Sequence, residues 1–181
     1  MPRKVDKSLQ NSATQGILEQ EKFMIKVLFI CHGNICRSTM AEMVLKHVVR
    51  ERGIASEFYI SSAATSREEI GNGVHYGTRR KLAEVGIPCE DHRAVQVTKK
   101  DYDNYDYLIV MDSNNVRNLM RIIGQDPEHK VYKLLDFTER KGESIADPWY
   151  TGNFDETYKD VVEGCEGLLR YLKNNSHIMT S

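Results

Sequence analysis

From residue 25 onward, short β-rich apolar runs alternate with longer stretches of helical spacing. That alternation limits the fold more than any other feature. IKVLFI (25–30) is apolar at nearly every position, as expected for a strand covered on both faces. EFYISS (57–62), YDYLIVM (105–111) and KVYKLLDF (130–137) read as three more strands. Ser38 or Thr39 can cap a helix that carries Met40, Met43, Val44, His47 and Val48 on one side. HYGTRRKLAEVGI (75–87) is helical and stops at Gly86, with Pro88 beyond it. TKKD (98–101) has capping-box spacing, and Ser113 can cap a helix through Arg121. A last helix runs from about 154 to 173, with Val161, Cys165, Leu168, Leu169 and Leu172 on one stripe. The fold class that follows is α/β: a single domain with a doubly wound, four-stranded, mainly parallel sheet flanked by helices. Sites in such folds lie at the carboxyl ends of the strands.

The 181 residues suit one such domain. Residues 24–181 read as that domain, and 1–23 as an N-terminal tail, either a leader or a short helix over 17–23. The formal net charge of −1 gives no broad basic field for nucleic acid or an anionic membrane. No apolar run reaches the length of a membrane span, and the polar N-terminus lacks an apolar signal core. Cysteines stand at 31, 36, 89 and 165, too scattered for a disulfide framework. A reducing, cytoplasmic setting with one or two reactive thiols is expected.

The first strand runs into CHGNICRS (31–38). Gly33 and Asn34 tolerate left-handed backbone conformations, so a loop bent through them can turn successive N–H groups inward as an anion nest. The next helix adds its own N-terminal N–H groups. Arg37 can grip two phosphate oxygens, and the same field favours a thiolate at Cys31. Ser38 can donate to that thiolate. The pattern describes a nucleophile inside an anion cradle, suited to attack phosphorus. A buried, inert cysteine is the alternative for Cys31. A leaving alkoxide or phenoxide also needs a proton donor. Asp147, in IADPWY, stands in a long loop after the last strand beside a proline and two aromatics that can shield it. Taken alone, an Asp-Pro pair reads first as a turn.

Together CHGNICRS and DPWY, in this order and far apart, resemble the signatures of the low-molecular-weight protein tyrosine phosphatase family. SSAATS, EIGN, HRAVQVTKKDYDNYDYLIVMD and SNNVRNL also look like family segments. The resemblance covers nearly all of residues 25–173. It implies metal-independent hydrolysis of phosphotyrosine, or of small aryl phosphates, through a cysteinyl phosphate, with no cofactor and no metal. Cys31 would be the nucleophile, Arg37 the phosphoryl clamp and Asp147 the acid and base. The phosphate loop would be His32, Gly33, Asn34, Ile35, Cys36 and Arg37. Asn34, Ser38, Ser62 and His92 match positions that brace this loop, and Asp112 matches one near the site. Cys36 matches a cysteine that forms a reversible, protective disulfide with the nucleophile in the family; packing under the loop is the equal alternative. A monomer with weak self-association is expected.

The chain also departs from the family pattern. Glu68 stands where an aromatic often forms one substrate wall, and Trp149 and Tyr150 form the other. Glu68 and Glu69 disfavour acidic substrates or favour basic ones. His32 follows the nucleophile where an apolar residue or threonine is usual. Ile35 favours phosphotyrosine, because relatives that act on phosphoarginine carry threonine there. A thiol-dependent arsenate reductase or a phosphoarginine phosphatase on the same fold is the alternative; the reductase needs a downstream cysteine pair.

Overall fold

A computed structural model describes residues 7–22 and 24–175. It contains the strands β1 (Ile25–Cys31), β2 (Phe58–Ala64), β3 (Tyr107–Val110) and β4 (Val131–Lys133). The helices are α1 (Lys7–Lys22), α2 (Arg37–Glu51), α3 (Tyr76–Glu84), α4 (Lys99–Asn104), α5 (Ser113–Ile123), α6 (Pro148–Thr151) and α7 (Phe154–Asn174). All four strands are parallel and stand in the order β2-β1-β3-β4.

Alternation along β1 explains why it is apolar at every position from Val27 to Cys31. Val27, Phe29 and Cys31 join the core beneath α2 and α7, with Met40, Val44, Leu168 and Leu172. Leu28 and Ile30 join the opposite core beneath α4 and α5, with Tyr102, Leu119 and Ile123. Each fully buried side chain of this size stabilises the fold by about 1.5–3 kcal/mol relative to exposure. On α7, Gly164 and Gly167 give close access to a 3₁₀ turn at Leu134–Phe137: a Cβ on Gly167 would strike the Phe137 carbonyl.

Several boundaries differ from the sequence expectation. β4 ends at Lys133 because the chain tightens into that turn, where the Asp136 carboxylate accepts from the Lys133 N–H at 2.9 Å. The N-terminal helix is longer than expected, Lys7–Lys22; Phe23 lies outside the described residues. Cys36, not Ser38 or Thr39, holds the N-cap position of α2. Asp112, not Ser113, caps α5.

The chain runs from β1 to β2 on one side and then crosses to β3 on the other. The crevice at the carboxyl ends of β1 and β3 is therefore the switch point of the sheet, where open α/β folds hold ligands. Cys31 ends β1, and Asp112 follows β3.

Candidate active site

The loop between β1 and α2 turns on Asn34, whose φ of 58° is left-handed. Asparagine is among the few side chains that take this conformation readily. Asn34 is fully buried, and its amide is used on both ends. Its Nδ2 donates to Ser38 Oγ and to Ser62 Oγ, both at 2.9 Å. Its Oδ1 accepts from the Val95 N–H at 3.2 Å, and His92 Nε2 sits 2.8 Å from its carbonyl oxygen. Ser38 and Ser62 are thus gathered around the Asn34 side chain, and His92 at its backbone carbonyl.

Two polar groups address the Cys31 sulfur. The Asn34 N–H lies 3.3 Å from Sγ, and Ser38 Oγ lies 3.1 Å away. Because Ser38 Oγ accepts from Asn34, its own hydrogen can turn to the sulfur. Cys36 holds the N-cap position of α2 without a side-chain hydrogen bond to the helix end. Such an end accommodates a phosphate.

Arg37 is 2% exposed and held on three sides. Its Nη1 donates to Asp112 Oδ2 at 2.6 Å and to the Ile145 carbonyl at 2.9 Å. Its Nη2 donates to Asp147 Oδ2 at 3.2 Å. Burial opposes the guanidinium charge, but Cys31, Asp112 and Asp147 outweigh it and hold the Arg37 pKa above the ordinary value. Asp112 does two jobs with two oxygens: Oδ1 accepts from the Asn115 N–H at 2.7 Å and caps α5, while Oδ2 takes Arg37. Asp147 likewise caps α6, its Oδ1 accepting from the Trp149 N–H at 3.1 Å.

A cavity of about 120 Å³ opens over the sulfur. His32, Gly33, Ile35, Cys36 and Arg37 line it from the loop, Asp147, Trp149 and Tyr150 from one wall, and Glu68 and Glu69 from the other. Glu68 reaches the mouth because backbone pairing continues past the strands. The Thr65 N–H donates to the Cys31 carbonyl at 2.9 Å, and the Ser66 N–H to the His32 carbonyl at 3.0 Å. Burial, with Cys31 and Asp147 nearby, pushes the Cys36 thiol up to about 12. Among the described residues, no group of three or more His, Cys, Asp or Glu is arranged to hold a metal ion.

A family model described as low molecular weight phosphotyrosine protein phosphatase matches residues 26–178. The chain belongs to this family. Its sequence is 36% identical over 156 residues to the low molecular weight protein-tyrosine-phosphatase YfkJ of Bacillus subtilis, covering 86% of this chain and all of that one. The YfkJ crystal structure superposes with a TM-score of 0.80 at 37% identity, covering 84% of this chain and 96% of that one. A low molecular weight protein tyrosine phosphatase of Streptococcus pyogenes gives a TM-score of 0.74 at 39% identity, covering 86% and 100%. A Drosophila arginine phosphatase gives 0.75 at 29% identity, covering 82% and 98%.

Within this low-molecular-weight phosphatase site, two contributors escape sequence reading. Glu42 on α2 is 6% exposed. Its Oε1 accepts from Ser62 Oγ at 2.5 Å, and its Oε2 takes Lys46 Nζ at 2.8 Å. Lys46 continues to Glu90 at 2.7 Å. A glutamate followed four residues later by lysine usually marks a solvated helix face, so the pattern pointed away from the core. The second contributor is the start of α3. The His75 N–H donates to the Ile35 carbonyl at 2.9 Å, and Thr78 Oγ1 to the Cys36 carbonyl at 3.3 Å. Neither backbone contact leaves a sequence signal.

Proposed function

We propose that this chain hydrolyses the phosphate monoester of phosphotyrosine in polypeptides through a cysteinyl-phosphate intermediate. The observation that carries this reading is the convergence of Cys31, Arg37 and Asp147 on one small cavity. Asp112 and Ile145 hold Nη1 of Arg37, which leaves Nε and Nη2 for two phosphate oxygens. When phosphate takes Nη2, Asp147 is released from its contact with Arg37. The Cys31 thiolate attacks phosphorus as the bond to the aryl oxygen breaks, and Asp147 gives that oxygen its proton. Asp147 then takes a proton from water, which attacks the phosphocysteine and releases inorganic phosphate and the thiolate. Arg37 and the loop N–H groups stabilise the charge on the three equatorial oxygens in both steps.

The apolar side chain of Ile35 in the cavity lining supports an aryl phosphate over phosphoarginine. Cys165 is buried and Cys89 exposed, which does not favour the cysteine relay of an arsenate reductase. The family match begins at residue 26, which supports residues 1–23 as an appendage to a catalytic unit over 24–181. Among the described residues no helix is long and apolar enough to cross a membrane, and a cytoplasmic setting is part of the same proposal.

Wild type, Cys31→Ser and Asp147→Ala are assayed on para-nitrophenyl phosphate without added metal, and wild type also on phosphotyrosine and phosphoarginine peptides. Activity in wild type, its loss in Cys31→Ser and a fall of about 10²–10⁴-fold in Asp147→Ala are expected. A wild type without activity overturns the reading. An unchanged Asp147→Ala overturns the assignment of the acid.

A further inference from the structure

The catalytic cavity is not the largest on this face. Beside it, between α3 and the corner where α6 meets α7, lies a groove of about 560 Å³. Trp149 lines both, so its indole is the partition between them. The groove is also tied to the phosphate loop from below. Phe154, on its floor, packs against Ile35 and Cys36, and the His75 ring stacks on Phe154 at 5.5 Å and meets Trp149 edge-on at 5.7 Å. Gly77 brings α3 down onto that floor, because a Cβ there would strike the Phe154 ring.

The charges of the groove are unevenly used. Lys81 is matched by Glu84 at 3.1 Å and Asp155 at 2.7 Å. The side chain of Arg80, exposed on the same helix, has no hydrogen bond or ion pair among the described residues. The groove therefore offers one uncommitted guanidinium beside the exposed aromatic faces of Tyr76 and Trp149. The other rim of the catalytic mouth has the opposite character, with Glu68 and Glu69. A polypeptide whose phosphotyrosyl ring fills the small cavity must leave it across one rim or the other. An acidic flanking residue is repelled over Glu68 and Glu69 and attracted over Trp149.

We propose that this groove is a substrate subsite that takes an acidic residue flanking the phosphotyrosine, with Arg80 as its cationic partner and Trp149 and Tyr76 as apolar contacts. The proposal rests on the phosphotyrosine phosphatase reading above and adds to it the class of sequence preferred. Arg80 acts on binding alone, since it approaches no reacting atom.

The test uses phosphotyrosine peptides with alanine flanks and versions with Glu or Lys at each of the three positions on either side. Initial rates with wild type, Arg80→Gln and Arg80→Glu give kcat and KM separately. The readout is the ratio of kcat/KM between Glu and Lys peptides for each enzyme, so a general loss of activity cancels. In wild type at least one position favours Glu by about threefold, carried by KM, as an exposed ion pair allows. Arg80→Gln flattens that ratio, Arg80→Glu inverts it, and 0.5 M salt reduces it in wild type. A ratio that is the same in wild type and Arg80→Glu overturns the subsite alone. A wild type that fails on para-nitrophenyl phosphate overturns the phosphatase reading, and the subsite with it.

Discussion

His32 Nε2 lies 3.0 Å from Glu68 Oε2, so two departures from the family pattern, far apart in sequence, meet across the mouth of the catalytic cavity. Both side chains are largely exposed, at 46% and 70%. Their contact is therefore worth little to stability and matters through what it presents to a substrate. Glu68→Gln is expected to lower the preference for a Lys-flanked over an Ala-flanked phosphotyrosine peptide by about two- to fivefold, in KM. Steady-state kinetics on the two peptides check this, and a His32→Leu, Glu68→Gln double mutant should show a coupling energy below about 1 kcal/mol.

Asn34 concentrates the order of the phosphate loop in one side chain. Asn34→Ala removes the amide that Ser38, Ser62 and the Val95 N–H all use, and leaves the buried Ser38 and Ser62 hydroxyls each short of a partner. It also places a less tolerant residue at a left-handed position. A loss of about 2–4 kcal/mol in a denaturant titration is expected. A fall in kcat of about 10–100-fold should accompany it, because the nucleophile loses its placement.

Helix propensity and packing make opposite predictions at Gly167. Alanine is favoured over glycine within a helix by about 1 kcal/mol. A Cβ here meets the Phe137 carbonyl, which cannot rotate away as a side chain would. Gly167→Ala is expected to destabilise the protein by about 1–2 kcal/mol net, read as a fall in Tm of about 3–6 °C. Gly164→Ala meets the Cγ branch point of the fully buried Leu134 side chain and should destabilise as well.

With its thiol pushed up to about 12, Cys36 stays protonated across the working pH range. Since the thiolate is the reactive form, alkylation of Cys36 by iodoacetamide should be undetectable at pH 7 and rise about tenfold per pH unit as long as the fold holds. Cys165, raised by complete burial, should stay unlabelled too. Peptide mapping by mass spectrometry after labelling at pH 7, 8 and 9 reads both.

The strands and the core of the site were legible because both follow strong local rules. An apolar run in β1 marks a strand covered on two faces, and Cys31, Arg37 and Asp147 sit in motifs whose spacing reflects one loop and one turn. Two helix starts, those of α2 and α5, differ from the expectation for a physical reason. Capping preference points to Ser38, yet its hydroxyl serves Asn34 and Cys31. It points to Ser113, yet Asp112 can cap α5 with one oxygen and hold Arg37 with the other. Glu42 was hidden because its burial depends on β2, which brings Ser62 above it from a distant part of the chain.

The run of contacts from Ser38 through Asn34, Ser62 and Glu42 to Lys46 joins Cys31, the proposed nucleophile, to the outside of α2 without passing through the cavity. The cradle is thus braced by buried groups of the fold itself. Its alignment is as durable as the core that holds it. A lesion on the back of the molecule, remote from any phosphate, can then silence the enzyme while its pocket residues stay intact.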